Sequence, residues 1–134
     1  MRRYLLHTFF ILLFFTLPLF AGSIFSEYSA EPQQDRVEIK WTTKSEIDAH
    51  HFAVLRSNDS RNFIQLKTIN CEGPGTTYKY IDKDIVFKSV EPKYYKIKVY
   101  KKNGELLEET DTMIVHPSIS GIFRTWGAIK ALFR

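Results

Sequence analysis

Tyr95-Lys96-Ile97-Lys98-Val99-Tyr100-Lys101-Lys102-Asn103-Gly104-Glu105 decides the fold. Tyr95, Ile97 and Val99 alternate with Lys96, Lys98 and Tyr100, the period of two that sets one side of a strand in a core and the other in water. Asn103-Gly104 tolerates the positive φ that a two-residue primed hairpin turn demands at both centres, so the chain is expected to double back there. With those residues at the turn, Lys102 falls opposite Glu105, Lys98 opposite Glu109 and Lys96 opposite Asp111, all on the wet face. Opposed charges across a ladder contribute roughly 0.2–1 kcal/mol per pair. The lysine run and the acidic run thus explain each other as one solvated face, ahead of a basic ligand patch or a pair of catalytic carboxylates.

The same alternation recurs on either side. Val37, Ile39 and Trp41 alternate with Glu38, Lys40 and Thr42, and residues 51–57 repeat the pattern with Phe52 and Val54. Residues 63–69 follow the turn formers Ser57-Asn58-Asp59-Ser60, and residues 77–81 carry Tyr78 and Tyr80. With a first strand near residues 24–30 and a last over 105–115, the reading is an all-β, seven-stranded immunoglobulin-like sandwich.

Val37-x-Ile39-x-Trp41 and Tyr95-x-Ile97-x-Val99 resemble the core signature of fibronectin type III modules. In that family the tryptophan packs between the sheets and the tyrosine ties the loop before its strand, roles the resemblance implies for Trp41 and Tyr95. Trp41-Thr42-Thr43-Lys44-Ser45-Glu46, Phe52-x-Val54-x-Arg56-Ser57-x-Asp59 and Phe63-x-x-Leu66 resemble a variant common in secreted and cell-surface proteins of gram-negative bacteria. There the module is usually an appendage near the carboxyl end of something larger. The resemblance spans residues 26–115 and implies a scaffold shared by many functions. Without an Arg-Gly-Asp tripeptide, integrin-type adhesion is not implied, and no Pro-Asn-Pro-type sorting module follows.

At 134 residues, 44% hydrophobic and 15% aromatic, the chain has apolar material for one core and is too short for a multidomain enzyme. A single cysteine excludes an internal disulfide framework and, with four histidines, a Cys-rich zinc site. Arg2 and Arg3 precede an apolar run from Leu5 to Phe20, and Ala21, Gly22 and Ser23 follow. These are the three parts of a secretory signal peptide over residues 1–23, cut after Ser23 or Ala21. The competing reading is an uncleaved anchor, although the run falls below the ~20 residues that span a hydrocarbon core. The formal charge of +4 then divides: +2 in the leader, +3 in residues 118–134 and −1 in the sandwich, residues 24–117. A neutral sandwich removes the compositional case for nucleic-acid binding.

After Pro117 the period changes. Ile119, Ile122, Phe123, Trp126, Ile129, Leu132 and Phe133 recur at helical offsets, and Arg124, Lys130 and Arg134 supply the charge with no acid among them. Ser118 or Ser120 can cap the start, while Gly121 and Gly127 each cost roughly 1 kcal/mol against alanine. An amphipathic helix so marginal requires an apolar partner: its own sandwich, another protein's groove, or a membrane interface, whose pattern of Trp and Phe with Arg and Lys it matches. The expected contact residues are Ile122, Phe123, Trp126, Ile129, Lys130, Leu132, Phe133 and Arg134.

Little else points to chemistry. His50 and His51 should face opposite ways on a strand, with no further ligand at suitable spacing, so no metal is expected. Asp82-Lys83-Asp84 reads as a turn, because the lysine opposes a calcium loop. Cys71 reads as a free, inert thiol, with intermolecular pairing as the sharper option in an oxidising compartment. Asn58-Asp59-Ser60 fits a glycan acceptor pattern in a turn. No phosphate loop, nucleophile elbow or zinc-protease motif occurs. The expectation is a non-catalytic, cofactor-free structural or interaction module of the bacterial envelope. It is exported to the periplasm, the outer membrane surface or the medium, and tethered through its tail to a membrane surface or an envelope protein. The alternative is a soluble peptide- or glycan-binding module whose exposed Tyr78, Tyr80, Tyr94 and Tyr100 form the ligand face.

Overall fold

The structure, a computed structural model, describes residues 22–85, 91–116 and 130–133. The expected signal helix lies outside the described residues, as do Ile122, Phe123, Trp126, Ile129 and Arg134 of the expected tail helix. Eight strands are described: β1 Phe25–Pro32, β2 Val37–Thr43, β3 His51–Ser57, β4 Ile64–Asn70, β5 Thr77–Asp82, β6 Lys93–Tyr100, β7 Leu106–Glu109 and β8 Met113–Val115. One sheet runs β1-β2-β5; the other runs β4-β3-β6-β7, with β8 also on β6. Every pairing is antiparallel.

The alternating residues close the space between the sheets. Val37, Ile39 and Trp41 from one sheet and Phe52, Val54, Tyr95, Ile97 and Val99 from the other are fully buried in one cluster. Trp41 stacks on Tyr78 of its own sheet at 5.4 Å and meets Phe52 of the opposite sheet edge-on at 5.6 Å. Each such large side chain contributes roughly 1.5–3 kcal/mol by leaving water.

The hairpin departs from the expected one. Gly104 N–H donates to the Lys101 carbonyl at 3.0 Å, Lys101 N–H donates to the Glu105 carbonyl at 2.9 Å, and only Gly104 has positive φ, +88°. The loop is therefore three residues, Lys102-Asn103-Gly104, with the glycine left-handed after a turn, and Asn103 Oδ1 accepts from Glu105 N–H at 3.0 Å. Lys101, not Lys102, stands across from Glu105 and pairs with it at 3.2 Å. A register shift between Val99 and Tyr100 cancels the offset, so Lys98 does face Glu109.

Beyond Glu109 the single expected last strand divides in two. The Thr110 side chain is buried, and its Oγ1 accepts from Ile97 N–H at 3.0 Å, a position the ladder would otherwise give to a backbone carbonyl. Pairing resumes with Met113 opposite Tyr95. Asp111 consequently leaves Lys96 and accepts from the Tyr28 hydroxyl at 3.3 Å, while Lys96 joins Lys98 on Glu109, at 3.5 and 3.7 Å.

Candidate interaction surfaces

The four tyrosines do not form one face. Tyr78 and Tyr80 stand two apart on β5, with Lys79 between them pointing out to Glu38 at 2.8 Å, so both rings turn inward. Tyr78 is 5% exposed against Trp41 and Phe52, and Tyr80 packs partly buried against the core. Their removal from the expected ligand face is a correction: an intervening lysine sets the phase of the strand. Burial, then the neighbouring Glu46, pushes the Tyr78 hydroxyl up to about 12.

Tyr94 and Tyr100 lie on β6, in the other sheet, in phase with Lys96 and Lys98 on its outer side. Tyr100 stacks on the His51 ring at 5.3 Å, and Lys96 lies 5.2 Å above the Phe63 ring. Ile114, opposite Tyr94, is among the exposed large apolar residues. This partly aromatic, partly charged stretch is a tyrosine-bearing surface on the outer side of the larger sheet.

At the end of the sandwich where β2 meets β3, Glu46 accepts from Thr43 Oγ1 at 2.7 Å, Tyr78 Oη at 2.6 Å and Gly73 N–H at 2.7 Å. This one carboxylate fastens the β2–β3 and β4–β5 connections together. A shallow groove of about 580 Å³ beside it is lined by residues including Ile47, Cys71 and Pro74. Burial, then the charge of Glu46, pushes the Cys71 thiol up to about 11, the direction of an unreactive cysteine.

The opposite end is held by Asp82. Its Oδ2 receives Arg56 Nη1 at 2.7 Å and Tyr95 Oη at 3.0 Å, and its Oδ1 receives Asp84 N–H at 3.2 Å. Tyr95 thereby ties the start of the β5–β6 connection to its own strand. Burial first, then the charge of Asp82, pushes the Tyr95 hydroxyl far above its ordinary range.

The histidines also depart from expectation. His50 precedes β3, so strand alternation does not govern it, and the two Nδ1 atoms face each other at 3.1 Å. Among the described residues, no three His, Cys, Asp or Glu side chains group as metal ligands. His50 adjoins the start of β3, whereas Asp82, the last residue of β5, is held by Arg56 near the other end of β3. In the turn after β3, Asp59 accepts from Ser57 Oγ, the Arg61 and Asn62 amides and Asn62 Nδ2, and these bonds, that of the Asn62 amide foremost, hold its carboxyl far below the usual range.

Of the expected tail, residues 130–133 are described. Residues 130–132 are helical, Phe133 N–H donates to the Lys130 carbonyl at 3.2 Å, and Leu132 and Phe133 are 82% and 86% exposed. No described helix is long and apolar enough to cross a membrane.

Sequence reasoning missed Glu46, Glu108, Arg56 and Asp82 as fastening groups. Glu108 accepts from Ile24 N–H at 2.8 Å and from the Ser23 hydroxyl. Their bonds that join separate parts of the fold span from 13 residues, Asp82 to Tyr95, up to 85, Glu108 to Ser23, beyond any local pattern.

No family model matches the chain, and no curated protein does. Solved structures do. An Fn3-like protein from Clostridium thermocellum is 18% identical with a TM-score of 0.53, over 73% of this chain and 95% of that one. A family 76 glycoside hydrolase from a bovine Bacteroides thetaiotaomicron strain is 8% identical with a TM-score of 0.53, over 69% of this chain and 20% of that one. A β-1,2-glucanase from Parabacteroides distasonis is 16% identical with a TM-score of 0.49, and the chain spans 12% of its length. The described chain has an Fn3-like β-sandwich fold.

Proposed function

We propose that the protein is a non-catalytic, exported structural or interaction module of the bacterial envelope, tethered through its C-terminal amphipathic segment. The observation that carries this reading is the composition of residues 118–134, which combine seven regularly spaced large apolar residues with Arg124, Lys130 and Arg134 and no acid. A basic amphipathic segment of that kind gains from anionic headgroups and from burying its apolar side at their boundary. The solvent exposure of Leu132 and Phe133 is consistent with it. The sandwich contributes a rigid body whose buried carboxylate, Asp82, is committed to internal bonds. The same fold forms about a fifth of the glycoside hydrolase named above, which suits a module working beside other domains or proteins.

Deleting residues 118–134 tests the reading. The intact protein is expected in the membrane fraction of envelope extracts and the truncated protein in the soluble fraction. Unchanged fractionation would remove the tether, and loss of folding would assign the segment to the protein's own core. A binding module is the second reading, supported by Tyr94 and Tyr100 with Phe63 and Lys96 on the outer side of the β6 sheet. Glycan or peptide retained equally by intact and truncated protein, and lost with Y94A and Y100A, would favour it.

A further inference from the structure

Glu108 reaches across from β7 to Ser23 and Ile24, near the start of the first described segment. Its Oε2 accepts from Ile24 N–H at 2.8 Å, and its other oxygen from the Ser23 hydroxyl. Among the described residues no lysine or arginine forms an ion pair with it. Ile24 is fixed from the other side as well: its carbonyl accepts from Lys44 N–H at 2.9 Å, and its side chain and that of Phe25 are buried in the core cluster.

We propose that export processing cuts the Ser23–Ile24 bond and that the new α-ammonium of Ile24 docks on the Glu108 carboxylate, fixing the mature amino terminus in the sandwich. Two independent observations meet at this bond. In the sequence, Ala21 and Ser23 place small residues third and first before it, the arrangement a signal peptidase accepts, whereas a cut after Ala21 would place Leu19 third. In the structure, the same nitrogen lies on a carboxylate with which no described lysine or arginine pairs. Hydrolysis adds water across the amide, hydroxyl to the Ser23 carbonyl carbon and hydrogen to the Ile24 nitrogen, which takes a further proton at neutral pH. The nitrogen changes from one donor to three and gains a full charge. Loss of Ser23 frees the second carboxylate oxygen to receive it, and a charge-assisted pair replaces a neutral-donor bond. Burial of Ile24 is no obstacle, because the leader is removed during translocation, before the domain folds.

The inference rests on the exported reading, and the experiment separates the two. The full chain is expressed with its leader in a gram-negative host, and the product is taken from the envelope fraction for intact mass. A chain beginning at Ile24 is expected. A chain beginning at Gly22 overturns this inference and leaves export standing; an uncleaved chain overturns both the inference and the discarded leader. Docking is then read by comparing the Ile24 form with a cytoplasmically made form beginning at Gly22, whose amine lies two residues away. Glu108→Gln is expected to lower the unfolding midpoint of the Ile24 form by about 5 °C more than that of the Gly22 form. In the unmutated proteins, the Ile24 amine is expected to react about tenfold more slowly with an amine-selective acylating reagent than the Gly22 amine, because the carboxylate holds it as the non-nucleophilic ammonium. Equal losses with Glu108→Gln, or equal amine reactivities, overturn the docking.

Discussion

Tyr95 and Asp82 join the two sheets: the hydroxyl of one, on β6, donates to the carboxylate of the other, on β5, at 3.0 Å across the buried space between them. Arg56, also of the β6 sheet, holds the same oxygen at 2.7 Å, with 15% of its side chain exposed against 1% for Asp82. The carboxylate of one sheet is thus gripped by two groups of the other.

Removing that carboxylate strands a mostly buried guanidinium. Asp82→Ala is expected to destabilise by about 3–5 kcal/mol, because breaking one side of a buried pair leaves the other uncompensated. Tyr95→Phe removes a single bond to a charged acceptor and should cost less, about 1.5–3 kcal/mol. Urea denaturation of both variants measures the order; an Asp82→Ala loss no larger than that of Tyr95→Phe would show that Arg56 finds water instead.

Gly104 isolates the cost of backbone conformation. Its φ is +88°, and an added Cβ would meet nothing within 4 Å, so substitution there meets strain and no clash. Gly104→Ala is expected to cost roughly 1 kcal/mol and Gly104→Asn less, since asparagine enters the left-handed region more readily. Thermal melts of the two variants check the ranking.

The paired charges on the outer face should exchange incompletely. Lys98→Glu and Glu109→Lys singly set like charges together, and the double variant restores the 98–109 pair. Lys96, however, also sits on Glu109, at 3.5 Å, and in the double variant it faces a second cation. Recovery is therefore expected to be partial, within the ~1 kcal/mol typical of exposed pairs. Adding Lys96→Gln should complete it, as read from the denaturation midpoints of the series.

Stability should fall in strong alkali. The Tyr78 hydroxyl titrates near 12 in the folded protein against an ordinary 10, and that of Tyr95 is raised in the same direction. Above pH 10 the folded state therefore holds more protons than the unfolded state, so this contribution is full below pH 10 and is lost as pH rises through the folded values. Denaturation at a series of pH values should show the decline, and Tyr78→Phe should remove the part falling between 10 and 12. Asp59 acts with the opposite sign: its lowered carboxyl stabilises above its ordinary 3.8, a contribution lost as pH falls below it and absent from Asp59→Asn.

The core was legible because alternation and burial are the same fact seen twice. Val37, Ile39 and Trp41, with Tyr95, Ile97 and Val99, are inward on their strands and out of water. Tyr78 and Tyr80 were legible too, since Lys79 between them marks the outward side, but an eye drawn to their hydroxyls places them on the surface. The three-residue hairpin loop was not, because Asn-Gly suits a two-residue turn equally well and the choice depends on a register shift further along. Nor were the fastening carboxylates Glu46 and Glu108, which draw partners from segments distant in sequence. Glu46 looks like any polar loop residue until Tyr78 and Gly73 are brought to it.

The interrupted last strand bears on how the protein behaves in a crowd. Where β7 and β8 border the larger sheet they run only four and three residues, with Thr110 turned inward between them. An approaching chain would find too short a run of free amides and carbonyls to extend the sheet before meeting the gap. The break that costs this border its regular ladder also denies other chains a template along it.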